Sequence, residues 1–138
     1  MTTTERKNWE AFQLRTAILL GLAVYNRRTD ALREFDAAGR KPSQKEAEVF
    51  ALECAAYAES ALLRIRSVAG ARASLDAMVK VFDAFIAAEA AAGRLVRLGY
   101  RNERGNWTVL APADFLRELV AAYRRRGEIR RARLALEQ

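Results

Sequence analysis

Proline stands at only two places, Pro42 and Pro112, and the stretches these residues delimit are built from strong helix formers. Alanine supplies 28 of the 138 residues and arginine 20, while β-branched residues are few before position 94. Proline removes a backbone donor and clashes inside a helix, whereas alanine enters a helix with no loss of side-chain freedom, so such a chain folds as packed helices. One methyl group buries little surface, and the 51% hydrophobic fraction therefore overstates the core. At this length a single domain still buries roughly two-thirds of its unfolded surface, enough to fold without disulfides or metal.

The apolar pattern divides the chain into elements. Between about Glu5 and Ala38, Leu14, Ile18, Leu22 and Tyr25 recur at helical spacing, with Trp9, Phe12, Leu19 and Ala23 on an adjoining strip. So wide a face predicts a central helix with neighbours on two sides. The polar cluster Asn26 to Asp30 interrupts it, and Thr29 or Asp30 is a fitting cap for a second helix carrying Leu32 and Phe35. One bent helix and two short ones fit equally well. Gly39 and Pro42 make a stop, and Ser43 with Glu46 forms a capping box that opens a helix to about Ser67. That helix is expected to bury Phe50, Cys54, Tyr57, Ala61 and Ile65 and to turn Glu46, Glu53 and Glu59 outward.

A third helix, capped by Ser74 and ended by Gly93, carries the richest apolar face, Leu75, Met78, Val79, Phe82, Phe85 and Ile86. This predicts that it occupies the centre of the core. From Leu95 the period becomes alternating: Val96, Leu98 and Tyr100 face one way, Arg97 and Arg101 the other, and after a turn containing Arg104 and Gly105 the alternation resumes through Trp107 and Val109. The expectation is a basic β-hairpin over residues 94–110, its apolar face laid on the helices. Pro112 and Asp114 begin a last helix with Phe115, Leu116, Leu119, Val120 and Tyr123 on its buried side, continued by an Arg-rich helical tail over 124–138. The fold class expected is mainly α: one domain over 1–138, a compact bundle of four to five helices with one β-hairpin inserted before the C-terminal helix.

Composition narrows the chemistry. The chain has no histidine, so the usual neutral-pH base and metal ligand are missing, and the solitary Cys54 permits neither an internal disulfide nor a Cys-clustered metal site. Glu46, Glu48, Glu53 and Glu59 spread over an exposed helix face, and Gly93, Gly99 and Gly105 are explained by a helix end, a strand and a turn. No catalytic residue, metal, cofactor or small-molecule substrate is expected, and the chain reads as a non-enzyme. The apolar run Thr16 to Tyr25 is too short to span a bilayer; Glu5 and Glu10 spoil a signal leader, and no small-residue cleavage pattern follows. A cytoplasmic protein without membrane contact is expected.

Charge supplies the affirmative reading. Residues 94–138 hold 11 basic and 5 acidic side chains, which accounts for six of the seven excess positive charges, and every basic residue there is arginine. A GC-rich genome explains arginine over lysine but not the thinning of acids in the same stretch. Arginine's planar fork grips phosphate in two places. Arg97, Arg101 and Arg104 on the hairpin and Arg124, Arg125, Arg126, Arg130, Arg131 and Arg133 on the last helix are the candidate contacts to an RNA or DNA backbone. The opposing reading pairs them with carboxylates of the chain itself.

In size, basicity and helicity the whole chain resembles the small helical subunit of multi-subunit CRISPR effector complexes, although no motif carries the likeness. The resemblance implies a non-catalytic subunit of a nucleoprotein assembly, in contact with nucleic acid, with other protein subunits and with copies of itself. Helix 3 with the hairpin also looks like a winged-helix DNA-binding regulator, but Asp76, Asp83 and Glu89 against Lys80 make that helix's outer face repel phosphate. A third reading is a protein-binding adaptor or phage inhibitor that sets its arginine rows on an acidic partner surface.

Overall fold

The computed structural model describes residues 1–94, 99–101 and 107–137; at 99–101, 107–109, 133 and 137 it describes the backbone alone. Four helices carry the architecture: α1 (Thr3–Ala37), α2 (Gln44–Ala69), α3 (Leu75–Ala91) and α4 (Pro112–Glu137).

α1 is one continuous helix of 35 residues, about 52 Å long. Thr2 caps it by accepting the Glu5 N–H at 3.1 Å. The polar cluster at 26–30 does not break it, because its side chains satisfy the helix or reach its neighbours. Thr29 donates its hydroxyl to the Tyr25 carbonyl at 3.1 Å, Arg27 reaches Glu53 at 3.2 Å and Arg28 reaches Glu118 at 3.1 Å. The helix stops where Gly39 takes φ 65°, with the Gly39 N–H returning to Asp36 and the Arg40 N–H to Phe35. α3 ends in the same way at Gly93, φ 74°, with the Arg94 N–H on the Glu89 carbonyl at 2.8 Å.

The short connection then lays α2 back along α1. Ser43 and Glu46 form the expected box, with the Glu46 N–H donating to Ser43 Oγ at 3.1 Å and the Ser43 N–H to Glu46 Oε1 at 3.3 Å. Arg40 adds two bonds to the same carboxylate, at 2.8 and 2.9 Å. The Arg40 guanidinium, followed by the Ser43 donors, draws Glu46 down from 4.5 to about 2. A carboxylate whose folded value is depressed contributes its full stabilisation above its ordinary value and loses it as pH falls towards the folded one. The stability advantage of the wild type over Glu46→Gln is therefore expected to be complete above pH 4.5 and gone near pH 2. Thermal midpoints of the two chains across that range measure it.

α2 is the central element, packed against α1, α4 and α3. Of its expected stripe, Cys54, Ala61 and Ile65 are buried, joined by Ala55 and Ala58, while Phe50 and Tyr57 are half-buried. α3 is not the centre of the core: Met78 and Phe82 enter it, but Leu75 is exposed and Val79, Phe85 and Ile86 are only half-buried. Its Glu89, expected on the outer face, is buried and held by Arg15 at 2.8 Å and Arg94 at 3.3 Å. These two guanidiniums, Arg15 first, hold its carboxyl below the ordinary range. On α1, Leu14, Ile18 and Tyr25 are buried as expected, whereas Trp9, Phe12 and Leu19 are exposed; Ala17, Gly21 and Val24 complete the buried strip instead.

Phe82 stacks on Phe115 with centroids 5.5 Å apart, and the Tyr25 ring lies 6.2 Å from that of Phe115. The edge of the Phe115 ring sits against Gly21, where a Cβ would collide with it. The glycine of α1 thus lets the aromatic ring of α4 into the centre.

The fold class is corrected to all-α. The expected β-hairpin over 94–110 is not an element of the architecture: between α3 and α4 the described backbone pairs only Gly99–Arg101 with Trp107–Val109, three residues a side, and among the described residues no further strand extends so short a ladder. Residues 95–98 and 102–106, which carry most of that expectation, lie outside the described residues. Among the described residues the helices number four, because α1 is unbroken and the Arg-rich stretch continues α4 without a joint. No helix is long and apolar enough, among the described residues, to cross a membrane.

Candidate nucleic-acid interface

α4 begins with Phe115, Leu116 and Leu119 fully buried and with Ala122 taking the next core position. Tyr123, expected on the buried side, is 45% exposed. The reason lies along the helix and not around it: position 123 follows Leu119 by four residues and Leu116 by seven, on the same face, but burial of that face ends at Ala122. Beyond Ala122 no further α4 residue is buried among those described, although Arg126 and Ile129 stay half-buried.

Of the nine candidate arginines, Arg97 and Arg104 lie outside the described residues, as do the side chains of Arg101 and Arg133. The remaining five share the outer part of α4 but differ in how they are matched. Arg126 is half-buried and bonded to Glu59 of α2. Arg125 stands 3.8 Å from Glu128 in an exposed pair one turn along, an arrangement that contributes at most a few tenths of a kcal/mol. Arg124, Arg130 and Arg131 are exposed and have no carboxylate partner among the described residues. The opposing reading holds for Arg126 and fails for these three.

The three are arranged around Gly127. On a helix the surface neighbours of position i are i±3 and i±4, which for 127 are Tyr123, Arg124, Arg130 and Arg131. An open depression of about 520 Å³ lies here, lined by Gly127 and these four with Arg126, Glu128 and, across from α2, Glu59. Gly127 is required neither by backbone conformation, since its φ is not positive, nor by packing, since an added Cβ would meet nothing within 4 Å. In a helix of otherwise good formers it costs about 1 kcal/mol relative to alanine. The two carboxylates of the lining are already matched, Glu59 by Arg126 and Glu128 by Arg125, so the other three guanidiniums leave a net positive charge and offer planar donor forks to a group such as phosphate.

A smaller apolar groove of about 230 Å³ lies between the C-terminal end of α1 and the start of α2, with Leu32, Phe35 and Phe50 on its walls and Cys54 at its floor. Burial pushes the Cys54 thiol up, its sulfur lies 4.0 Å from the Val24 carbonyl, and it behaves as a small core hydrophobe. Among the described residues no group of three or more Cys, Asp or Glu side chains is placed to hold a metal ion. Comparison with protein-family models, with curated proteins and with solved structures finds no match to this chain.

Sequence reasoning picked out the arginines of α4 but missed what organises them. The signal was present in a glycine between two arginine clusters, with a tyrosine four residues before it.

Proposed function

We propose that the protein is a non-catalytic nucleic-acid-binding subunit that holds a phosphate backbone on the outer half of α4 without reading sequence. The observation that carries this reading is the set of three exposed arginines around the Gly127 notch that have no carboxylate partner among the described residues. α3 gives no support to a groove-reading helix, because its exposed charges are Asp76, Lys80 and Asp83 and its buried Glu89 serves Arg15 and Arg94. A place inside a larger assembly, as in the CRISPR effector complexes whose small subunit the chain resembles, is favoured by the exposed Trp9, Phe12 and Leu19 on α1. Trp9 and Phe12 stack 5.6 Å apart and present a flat apolar surface of the kind a neighbouring subunit covers.

The test is a salt titration of binding to labelled DNA and RNA of unrelated sequences. Each phosphate neutralised contributes a slope of roughly −0.7 to −0.9 in log affinity against log salt, so three arginines give about −2 to −3. This corresponds to a loss of about 20- to 40-fold between roughly 50 and 200 mM salt, with little change between sequences. A strong preference for one duplex site points to a sequence reader, and tight association with an acidic protein but with no nucleic acid points to the adaptor; either result overturns the proposal.

A further inference from the structure

We infer that the notch at Gly127 is a seat for an unpaired nucleotide, its base stacked on Tyr123 and its flanking phosphates held by Arg124, Arg130 and Arg131, so that the ligand of α4 is single-stranded nucleic acid. This rests on the nucleic-acid reading above and names its substrate class.

Helical side chains lean towards the N-terminus, so the residue at i+4 normally packs against the side chain at i. At position 127 there is no side chain to do this for Tyr123. Tyr123 lines the depression and is 45% exposed, and no side chain at 127 is there to cover it. Neither backbone nor packing asks for a glycine there, and alanine, the chain's commonest residue, would strengthen the helix. What the glycine provides is room beside an aromatic face.

Phosphate alone has no use for that face. A duplex turns its phosphates outward and keeps its bases stacked inside, so a ring set among phosphate-binding arginines meets no base unless the base is unpaired. Single strands present both groups together, and proteins that hold them without reading sequence combine a basic track with aromatic platforms. From Tyr123 to Arg131 the helix rises about 12 Å, a span matched to one stacked base and the phosphates on either side of it. The depression of about 520 Å³ has the capacity of a small-ligand site and not the breadth of a duplex groove.

Fluorescence anisotropy with the full chain tests this, using a labelled oligothymidine, an oligouridine and a mixed-sequence duplex, each of about 20 nucleotides or base pairs, at about 50 mM salt. The single strands are expected to bind at least about tenfold more tightly than the duplex. Tyr123→Ala and Gly127→Leu are each expected to lose about tenfold on the single strands and to leave duplex affinity unchanged, whereas Tyr123→Phe keeps full binding. Gly127→Leu covers the ring while strengthening the helix, so an unchanged or raised melting temperature shows that its loss is not unfolding. Equal affinity for strand and duplex with all variants unaffected overturns the stacked nucleotide and leaves backbone binding intact. Failure of the wild type to bind any of the three probes overturns both readings.

Discussion

Gly21→Leu is expected to destabilise the protein by more than about 3 kcal/mol, and Gly21→Ala by about 1–3 kcal/mol although alanine is the better helix former by about 1 kcal/mol. The mechanism is the approach of α4 to α1. A Cβ at position 21 collides with the Phe115 ring. The ring has nowhere to go, because Phe82 stacks on it at 5.5 Å, Tyr25 lies at 6.2 Å, and all of Phe82, Phe115, Ile18 and Val24 are fully buried or nearly so. Removing the ring is expected to be no milder: Phe115→Ala leaves a cavity between three helices and costs about 3–5 kcal/mol. The two positions are coupled, so Gly21→Ala combined with Phe115→Leu is expected to be more stable than the sum of the single changes by about 1 kcal/mol or more. Urea unfolding of the four chains measures this, and strictly additive losses would show that the contact does not hold α1 against α4.

This contact also marks how far the sequence could be read. Local signals translate directly: Ser43 and Glu46 cap α2 as expected, Ser74 caps α3 through the Ala77 N–H at 3.2 Å, and Gly39 and Gly93 end their helices. Their physics is confined to one helical turn. Which apolar strip is buried depends on partners distant in sequence. On α1 the large residues Trp9, Phe12 and Leu19 are exposed while Ala17, Gly21 and Val24 are buried, and at Gly21 the reason is the Phe115 ring arriving from α4, which leaves no room for a side chain. The same trade places α2, rich in alanine, at the centre and leaves the bulkier α3 to one side. The break expected at Asn26 to Asp30 failed for a related reason: Arg27 and Arg28 look like loop residues until Glu53 and Glu118 are brought beside them. Alternation over 94–110 suggested a hairpin, yet alternation fixes which way side chains point and not how much backbone finds a partner.

In the candidate site, the sequence showed the charge and concealed its matching. Arg124, Arg125 and Arg126 are indistinguishable on paper, and only the packing of α4 on α2 commits Arg126 to Glu59. Arginines at 124, 130 and 131 remain because Glu59, the α2 carboxylate that lines the same depression, is bonded to Arg126, and no other carboxylate pairs with them among the described residues. The set to test is therefore not the consecutive run but the ring around position 127.

Neutralising that ring, as Arg124→Gln, Arg130→Gln and Arg131→Gln together, is expected to lower affinity for nucleic acid by about two to three powers of ten at about 50 mM salt. Each charge-assisted phosphate contact contributes about 1–1.5 kcal/mol, and three give about 3–4 kcal/mol. The slope of log affinity against log salt should flatten by about 2–3 at the same time, since three fewer counterions are released. Arg125→Gln with Arg126→Gln removes nearly as much charge from the same helix but is expected to change affinity by less than about threefold, and instead to lower the melting temperature because Glu59 loses its partner. Stability should move the other way in the triple variant. Among the described residues Arg124, Arg130 and Arg131 have no ion pair to lose, and Arg130 and Arg131 stand four and five residues beyond Arg126, so removing them relieves like-charge repulsion along α4 by a few tenths of a kcal/mol. A chain that becomes slightly more stable while losing its ligand carries those arginines against the interest of its own fold, as residues kept for binding do. If both variants lose affinity equally and in proportion to charge, α4 acts as a diffuse cation, and the notch at Gly127 has no special part in holding the strand.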